Sequence, residues 1–237
     1  MTPRRVCSRS SGPAREPLTS TPSGPGRVAL AFRDVLIFLR HGRTAYNVEG
    51  RLQGQYDSPL DEVGWLQAAA VGVHLRENYD VARVITSAMT RTRQTVEAAG
   101  MLQLPTTVDD RWREIDFGAY DQRRIQDVNV DLGAKWAEDP EWTPEGGAES
   151  IATLHRRVGA ALVDVLAAHD RIAPGEALLV VSHATPIKSA IAHAALGGPP
   201  MILRLQIGLA SVSTVARTKG VSVLTSFNER PFAPSLR

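Results

Sequence analysis

Two histidines in this chain each follow a short apolar run, and an arginine follows a third such run. His41 comes directly after Arg40, the last residue of the first run. His183 directly follows another run, and Arg91 lies shortly beyond the third. A neutral imidazole can attack phosphorus with one ring nitrogen while the other donates a hydrogen bond that fixes the tautomer. Nearby cations lower the histidine pKa, and planar guanidinium groups also bind phosphate oxygens. These residues predict phosphoryl transfer to His41, with Arg40 and Arg91 as phosphate clamps and His183 as a further donor.

An alcohol that leaves phosphorus needs a proton, which a neighbouring carboxylic acid can supply. A bound dianion raises the pKa of such an acid, so that it can be protonated near neutral pH. The stretch DRWREIDFGAY contains Glu114, which is our candidate for this acid. Asp116 and Asp121 lie close by, and the residues alone leave both open as alternatives.

A scaffold of alternating strands and helices must position these groups. Three β-branched apolar runs predict strands buried on both faces of a parallel sheet: VLIFLR (35–40), ARVITS (82–87) and ALLVVS (177–182). Patterns with helical spacing occupy residues 61–77, 88–101, 149–169 and 186–196. This alternation predicts an α/β fold, with three α/β/α layers around a mostly parallel central sheet. The polar residues then share the carboxyl ends of the strands, where open α/β sheets bind ligands.

Two helices show a readable apolar face. In residues 149–169 the expected core face is Ile151, Leu154, Val158, Ala161, Leu162 and Val165, with Ser150 as a cap. In residues 61–77 the expected core face is Leu66, Ala69, Ala70 and Val73. Near the C-terminus, SVSTVART and VSVLTSFN flank Lys219-Gly220, which predicts a hairpin at the sheet edge.

The N-terminal residues differ in composition from the rest of the chain. Residues 1–30 are rich in Pro, Ser, Gly and Arg, so we expect a disordered basic tail. Residues 31–237 are expected to form a single domain, with a lid inserted around residues 118–148. Of the net charge of +2, residues 1–27 contribute +4 through five arginines and one glutamate, so the remainder carries −2. This balance argues against a nucleic-acid-binding domain.

Cysteine and hydropathy patterns bear on the cellular compartment. Cys7 is the single cysteine, so no intrachain disulfide can form. No apolar run reaches the roughly 18 residues that cross a bilayer, and no apolar segment follows the N-terminal arginines as in a secretory signal. We expect a cytoplasmic protein without a membrane partner.

Six motifs together resemble the histidine phosphatase superfamily, the phosphoglycerate mutase-like proteins, over roughly residues 33–228. They are LRHGRTAYN (39–47), RLQGQYDSPLDEVG (51–64), ITSAMTRTRQT (85–95), REIDFGAY (113–120), GGAES (146–150) and VVSHATPIK (180–188). The resemblance implies a phosphoglycerate mutase-like fold and a phosphate pocket made by Arg40, Arg91 and His183. It implies that His41 becomes phosphorylated and that Glu114 donates the proton.

The resemblance also implies features around this pocket. Asn47 should border the phosphate, and no metal or organic cofactor is expected. Arg43 stands where the family prefers Glu or Gln, and Ala184 where Gly commonly follows the second histidine. Both are candidate substrate contacts, and Arg43 has the alternative of pointing into solvent. Glu149 lies in GGAES instead of the usual Gly-Glu-Ser, so the contact it makes is left open.

We expect hydrolysis of a small phosphorylated metabolite, by a phosphoric monoester hydrolase of histidine acid phosphatase type. The stretches EVGWLQA, DFGAY and SHATPIK are similar to α-ribazole phosphatases and the broad-specificity phosphatases close to them. Cofactor-dependent mutases carry Arg and Tyr after the catalytic Glu and a Lys further on, where this chain has Ile115, Phe117 and Ile125. A phosphoglycerate mutase remains the first alternative and a non-catalytic phospho-ligand binding module the second.

Several other roles are left open. Arg123 and Arg124 are candidates for a second anionic group of the substrate. Trp136 and Trp142 could stack on a base or sugar, or cover the edge of the core. A homodimer is also left open.

Overall fold

The computed structural model describes residues 34–128, 130–218 and 220–236. Its centre is a six-stranded sheet in the order β3-β2-β4-β1-β5-β6. The strands are β1 (Asp34–Arg40), β2 (Asp80–Thr86), β3 (Thr106–Val108), β4 (Glu176–Ser182), β5 (Val212–Thr218) and β6 (Val221–Glu229). The first four strands pair in parallel, and β5 and β6 add an antiparallel edge. The predicted mostly parallel sheet is confirmed.

Alternating side chains of β1 enter two separate cores, since successive residues of a strand point to opposite faces. Leu36 and Phe38 join the core beneath α5 (Ile151–His169) and α6 (Ala184–Ala194). Val35, Ile37 and Leu39 join the core beneath α2 (Glu62–Asn78) and α3 (Thr90–Ala98). Helices therefore cover both faces, as the prediction of three layers requires.

The predicted core face of α5 is confirmed, whereas that of α2 is wrong. All six apolar residues expected on α5 are buried, and the Ser150 side chain caps the helix by accepting from the backbone N–H of Thr153 at 3.0 Å. On α2, Leu66 is 55% exposed and Val73 is 48% exposed. The residues that α2 buries are Gly64, Gln67, Ala68, Val71, Gly72 and Leu75.

Close packing explains the inverted face of α2. A Cβ at Gly72 would lie 2.2 Å from the Ala99 carbonyl oxygen, and one at Gly64 would lie 2.1 Å from that of Arg43. Small residues thus let the backbone of α2 approach its neighbours, and they share the buried face with Val71 and Leu75, while Leu66 and Val73 lie outside. A pattern read from large apolar side chains misses such a face.

The C-terminal hairpin is confirmed, with β5 between β1 and β6. Strand β3 was not predicted, because it has three residues and all three are exposed. The expected lid contains the helix α4 (Leu132–Glu138), and α1 (Ala45–Val48) follows the end of β1. Residues 1–30, expected to be disordered, lie outside the described residues. Among the helices that are described, none is long and apolar enough to cross a membrane.

Candidate active site

The end of β1 lies directly beside the end of β4. The His41 backbone N–H donates to the Ser182 carbonyl at 3.0 Å, which extends the parallel pairing by one residue. The two histidine rings that follow these strands have centroids 5.2 Å apart. His41 and His183 are 3% and 0% exposed, respectively. The structure therefore brings both predicted histidines into one buried space.

The His41 ring is held in one tautomer. Its Nδ1 lies 2.8 Å from the Gly42 carbonyl oxygen, which can only accept, so Nδ1 carries the hydrogen. Burial lowers the pKa of His41 well below its usual value, and the charges of Arg91 and Arg40 lower it further. The ring is therefore neutral at physiological pH, and its Nε2 carries a lone pair.

Arg40 ends β1, directly before His41. Its Nη1 donates to the Ile207 carbonyl at 2.7 Å, and its buried Nε has no hydrogen-bond partner among the described residues. Burial lowers the pKa of Arg40, while the Glu114 carboxylate raises it. The orphaned N–H is a donor that a phosphate oxygen could satisfy.

Arg91 reaches the site from the second residue of α3 and is 0% exposed. Its guanidinium donates to the carbonyl oxygens of Tyr56 at 2.8 Å and of Gln53 and Gly54 at 3.2 Å each. Burial lowers the pKa of Arg91 to about 10, which still leaves it charged at neutral pH. Arg91 thus fixes the loop after α1 as well as supplying positive charge.

The remaining bond of Arg91 orders His183. Its Nε donates to His183 Nδ1 at 3.1 Å, so the His183 hydrogen sits on Nε2, which lies 2.8 Å from Ser87 Oγ. Ser87 Oγ is in turn 2.9 Å from Thr92 Oγ1, which donates to the Met89 carbonyl. Burial lowers the pKa of His183, and the charges of Arg91, His41, Arg40 and Arg157 act in the same direction. In this arrangement both ring nitrogens of His183 are occupied by protein groups.

Glu114 approaches from the loop after Trp112 and is 7% exposed. Its Oε1 accepts from the backbone N–H of Ile115 at 2.9 Å. It also accepts from the backbone N–H of Thr185, at the start of α6, at 3.2 Å. Asp121 instead binds three backbone N–H groups of residues 54–56, and Asp116 accepts from Gly118. Of the three acids considered from sequence, Glu114 is the one bonded to the first turn of α6, directly after His183.

Asn47 of α1 bonds to Thr44, the N-cap of this helix, which lies three residues after His41. Its Oδ1 accepts from the backbone N–H and the hydroxyl of Thr44, at 3.1 and 2.9 Å, in a capping box. The same hydroxyl lies 3.0 Å from Gln53 Oε1, and the buried Gln53 Nε2 has no partner in the described part of the chain. Sequence reasoning missed Gln53, whose only signal was its place in the RLQGQ motif.

Arg43 and Ala184, both predicted substrate contacts, occupy different surroundings. The Nε of Arg43 donates to Asp61, the N-cap of α2, at 2.8 Å. This ion pair gives Arg43 a structural partner, and contact with a substrate stays a prediction. Ala184 is half-buried at the first position of α6, beside His183, and its contact with a substrate likewise stays a prediction.

Residues behind Glu114 were also missed. Arg157 of α5 forms a bidentate ion pair with Glu149, with both N–O distances 2.7 Å. Its Nη groups donate to the carbonyl oxygens of Arg111, Arg113 and Glu114 at 2.7, 2.9 and 3.2 Å. The contact of Glu149, left open from sequence, is therefore this ion pair. A helical arginine gives no sequence signal for such a role, because its donors reach two separate segments, Glu149 and the loop of residues 111–114.

The lid side chains face mainly the protein. Trp136 is 6% exposed and packs in the core, and Trp142 packs against that core. The Nε1 of Trp136 donates to the Trp142 carbonyl at 3.1 Å. Arg123 donates to the Asp127 carbonyl and lies over the Tyr120 ring. No three His, Cys, Asp or Glu side chains come together as metal ligands within the described residues.

A profile of the histidine phosphatase superfamily (branch 1) matches residues 36–230. The chain belongs to this superfamily. A bifunctional protein of Mycobacterium tuberculosis is 34% identical over 206 residues, which are 85% of this chain and 55% of that protein. This chain thus spans about half the length of that relative.

Two further proteins are similar to this chain. A probable phosphoglycerate mutase of Yersinia enterocolitica is 33% identical over 186 residues, 76% of this chain and 83% of that one. The structure of a mycobacterial glucosyl-3-phosphoglycerate phosphatase is 28% identical with a TM-score of 0.74, covering 82% of this chain and 98% of that one. Phosphatases and probable mutases both occur among the relatives of this superfamily member.

Proposed function

We propose that this superfamily member is a phosphomonoester hydrolase of histidine acid phosphatase type that acts through a phosphohistidine at His41. The observation that carries the proposal is the bond from His41 Nδ1 to the Gly42 carbonyl at 2.8 Å. It holds the hydrogen on Nδ1 and leaves Nε2 as a nucleophile, in a space lined by Arg40 and Arg91. The substrate is a small phosphorylated metabolite.

In the first step His41 Nε2 attacks phosphorus, and a P–N bond forms as the P–O bond to the alcohol breaks. The leaving oxygen takes a proton from the Glu114 carboxyl group, so the alcohol departs neutral. Arg40 and Arg91 stabilise the charge on the non-bridging oxygens, and the orphaned Arg40 Nε supports this role. His183 contributes through Arg91, because its Nδ1 accepts a hydrogen bond from Arg91 Nε at 3.1 Å.

In the second step water attacks the phosphohistidine. Glu114, now a carboxylate, takes the proton from water as the P–N bond breaks. The products are inorganic phosphate and the starting form of His41. Asn47 supports phosphate binding, since its Oδ1 is held by Thr44 and no residue in the described part of the chain accepts from its amide hydrogens.

The first alternative is phosphoglycerate interconversion, which the naming of the Yersinia relative favours. Ile115 is 0% exposed, and Phe117 packs against the core beneath α5 and α6. These two positions therefore offer apolar groups to the core where mutases carry substrate-binding side chains. Hydrolysis is the better supported reaction, because water needs no such groups.

Turnover of p-nitrophenyl phosphate in the presence of a chelator tests the proposal. His41→Ala is expected to lose about 10³-fold or more in kcat, and an acid-labile phosphoenzyme should be trapped in the wild type but not in this variant. His74→Ala, at a half-buried histidine of α2 whose ring contacts Tyr79, is the matched control and should retain turnover. Wild-type turnover by His41→Ala would overturn the assignment.

The two alternatives give different results in the same preparation. A mutase would interconvert phosphoglycerates with little release of inorganic phosphate, which a coupled assay measures. A binding module would show thermal stabilisation by phosphate esters but no turnover of any of them.

A further inference from the structure

The carbonyl that holds the His41 ring is itself held in place from α2. The Gly42 carbonyl, which lies 2.8 Å from His41 Nδ1, belongs to the peptide unit that joins Gly42 to Arg43. A peptide unit is planar and trans, so its C=O and its N–H point in opposite directions. The group that binds the Arg43 N–H therefore fixes the direction of the Gly42 carbonyl. That group is Gln67 of α2, whose Oε1 accepts from the Arg43 N–H at 2.9 Å.

A second hydrogen bond sets which way the Gln67 amide faces. Its Nε2 donates to the Leu236 carbonyl at 2.6 Å. A carbonyl can only accept and a backbone N–H can only donate, so turning the amide around would lose both bonds. Gln67 is 2% exposed, which leaves little access for water to replace them. The amide is therefore locked with its oxygen toward Arg43.

The peptide unit before Gly42 is held from a different element. The Gly42 N–H donates to Thr95 Oγ1 of α3 at 3.1 Å. A Cβ at Gly42 would lie 2.5 Å from the Gly64 carbonyl oxygen, so the loop also packs directly against the start of α2. Of these contacts, that of Gln67 acts on the peptide unit that carries the acceptor of His41.

We propose that Gln67 is a positioning residue for His41, which holds the Gly42 carbonyl in place and thereby keeps the ring hydrogen on Nδ1. The inference rests on the proposed function and adds a residue to it. The hydrogen bond made by one ring nitrogen decides which nitrogen carries the hydrogen. If the carbonyl turned away, the hydrogen could move to Nε2 and block attack on phosphorus. The same bond stabilises the positive charge that the ring gains as Nε2 attacks.

Gln67→Met tests this role, because it keeps the length of the side chain and removes the amide. With p-nitrophenyl phosphate, kcat should fall about 10-fold or more while KM changes less than about 2-fold, since the phosphate clamps are untouched. Nitrogen-15 NMR of labelled histidine should show a larger share of the His41 hydrogen on Nε2 than in the wild type. A rise in KM at unchanged kcat, or an unchanged tautomer, would overturn the inference. Gln67→Ala serves in the same way if Gln67→Met does not fold.

Two further variants separate positioning from a general loss of stability. Gln67→Glu keeps an oxygen that can accept from the Arg43 N–H in either protonation state, so it should restore the tautomer and most of kcat. Gln94→Met is the matched control, because Gln94 of α3 likewise accepts from a backbone N–H, that of Leu60, at 2.8 Å. It should leave kcat and the His41 tautomer unchanged. The same change of tautomer in Gln67→Glu or in Gln94→Met would contradict the role of Gln67.

The NMR measurement separates this inference from the proposed reaction, because it needs no turnover. If His41→Ala retains wild-type turnover, the proposed function fails, yet the tautomer in Gln67→Met still reports whether Gln67 holds the ring. If His41→Ala is inactive and Gln67→Met keeps both the wild-type kcat and the wild-type tautomer, the proposed function stands and the role of Gln67 is wrong.

Discussion

Arg91 Nε donates to Nδ1 of His183 at 3.1 Å, although both side chains are basic. The contact requires a neutral imidazole, because an imidazolium has no acceptor. It also fixes the hydrogen of His183 on Nε2, from which the bonds run through Ser87 and Thr92 to the backbone of α3's first turn. One guanidinium therefore couples the end of β4, the start of α3 and the loop at residues 53–56.

The first prediction concerns Arg91. Arg91→Lys keeps the charge but cannot reach His183 and three carbonyl oxygens at once, so buried acceptors lose their donors. We expect kcat/KM for an aryl phosphate to fall about 10²-fold or more and the free energy of unfolding to fall by about 2–4 kcal/mol. Arg93→Lys, two residues on and exposed, should change neither. Urea denaturation and steady-state kinetics measure both, and wild-type stability in Arg91→Lys would contradict the role given to these bonds.

The second prediction concerns the state of His41. Its pKa is lowered well below the usual value by burial and by Arg91 and Arg40, so the ring should stay neutral with its hydrogen on Nδ1 at about pH 6. Nitrogen-15 NMR of labelled histidine, assigned with His41→Ala, distinguishes the tautomers. In Arg40→Gln one of the charges is removed, so the pKa of His41 should rise. A ring that protonates near pH 6.5 in the wild type would contradict the prediction.

The third prediction concerns Arg157 as a positioning residue for Glu114. Arg157→Met removes the three bonds that hold the carbonyls of residues 111, 113 and 114. Proton donation should then suffer more than attack on phosphorus. We expect kcat for an alkyl phosphate to fall about 10-fold or more, and kcat for p-nitrophenyl phosphate, whose leaving group needs no proton, to fall much less.

Its neighbour Arg156 provides the control. Arg156 is exposed and pairs with the exposed Glu141, so Arg156→Met should preserve both rates. Arg157→Lys should restore part of the loss, since one donor can still reach the loop. An equal fall for alkyl and aryl esters in Arg157→Met would indicate a general structural defect instead.

The fourth prediction concerns pH and stability. The rings of His155 and His193 stack at 3.7 Å, and burial, followed by the charge of His193, lowers the pKa of His155 to about 4. In the unfolded chain the pKa is about 6.5, so between these values the unfolded state binds more protons. Stability should therefore fall as the pH drops from about 6.5 to 4, with His155 contributing about 1–2 kcal/mol given its partial exposure.

Denaturation at a series of pH values measures this contribution. His155→Gln should be less sensitive to acid over the same range than the wild type, whatever its absolute stability. His41 and His183 act in the same direction, so some acid sensitivity remains. An unchanged slope in His155→Gln would contradict the prediction.

Much of the fold was readable from local sequence. The runs that became β1, β2 and β4 are apolar on both faces, so period and composition identified them and their parallel pairing. The face of α5 followed from large residues at helical spacing. The face of α2 did not, because Gly64 and Gly72 let the helix approach neighbouring backbone closely, and a single segment does not show which backbone that is.

The candidate site divides in the same way. His41, Arg40, Arg91 and His183 were predicted from residue type and position after a strand end, and Glu114 from the family resemblance, since the residues alone left Asp116 and Asp121 open. The sequence by itself determined the layered fold and which polar residues follow its strands, because both are visible in composition and local period. Only the tertiary structure decided that Arg43 pairs with Asp61 and that Arg157 holds the Glu114 loop. Each of these depends on which distant segment a flexible charged side chain reaches, and that is set by packing rather than by sequence spacing.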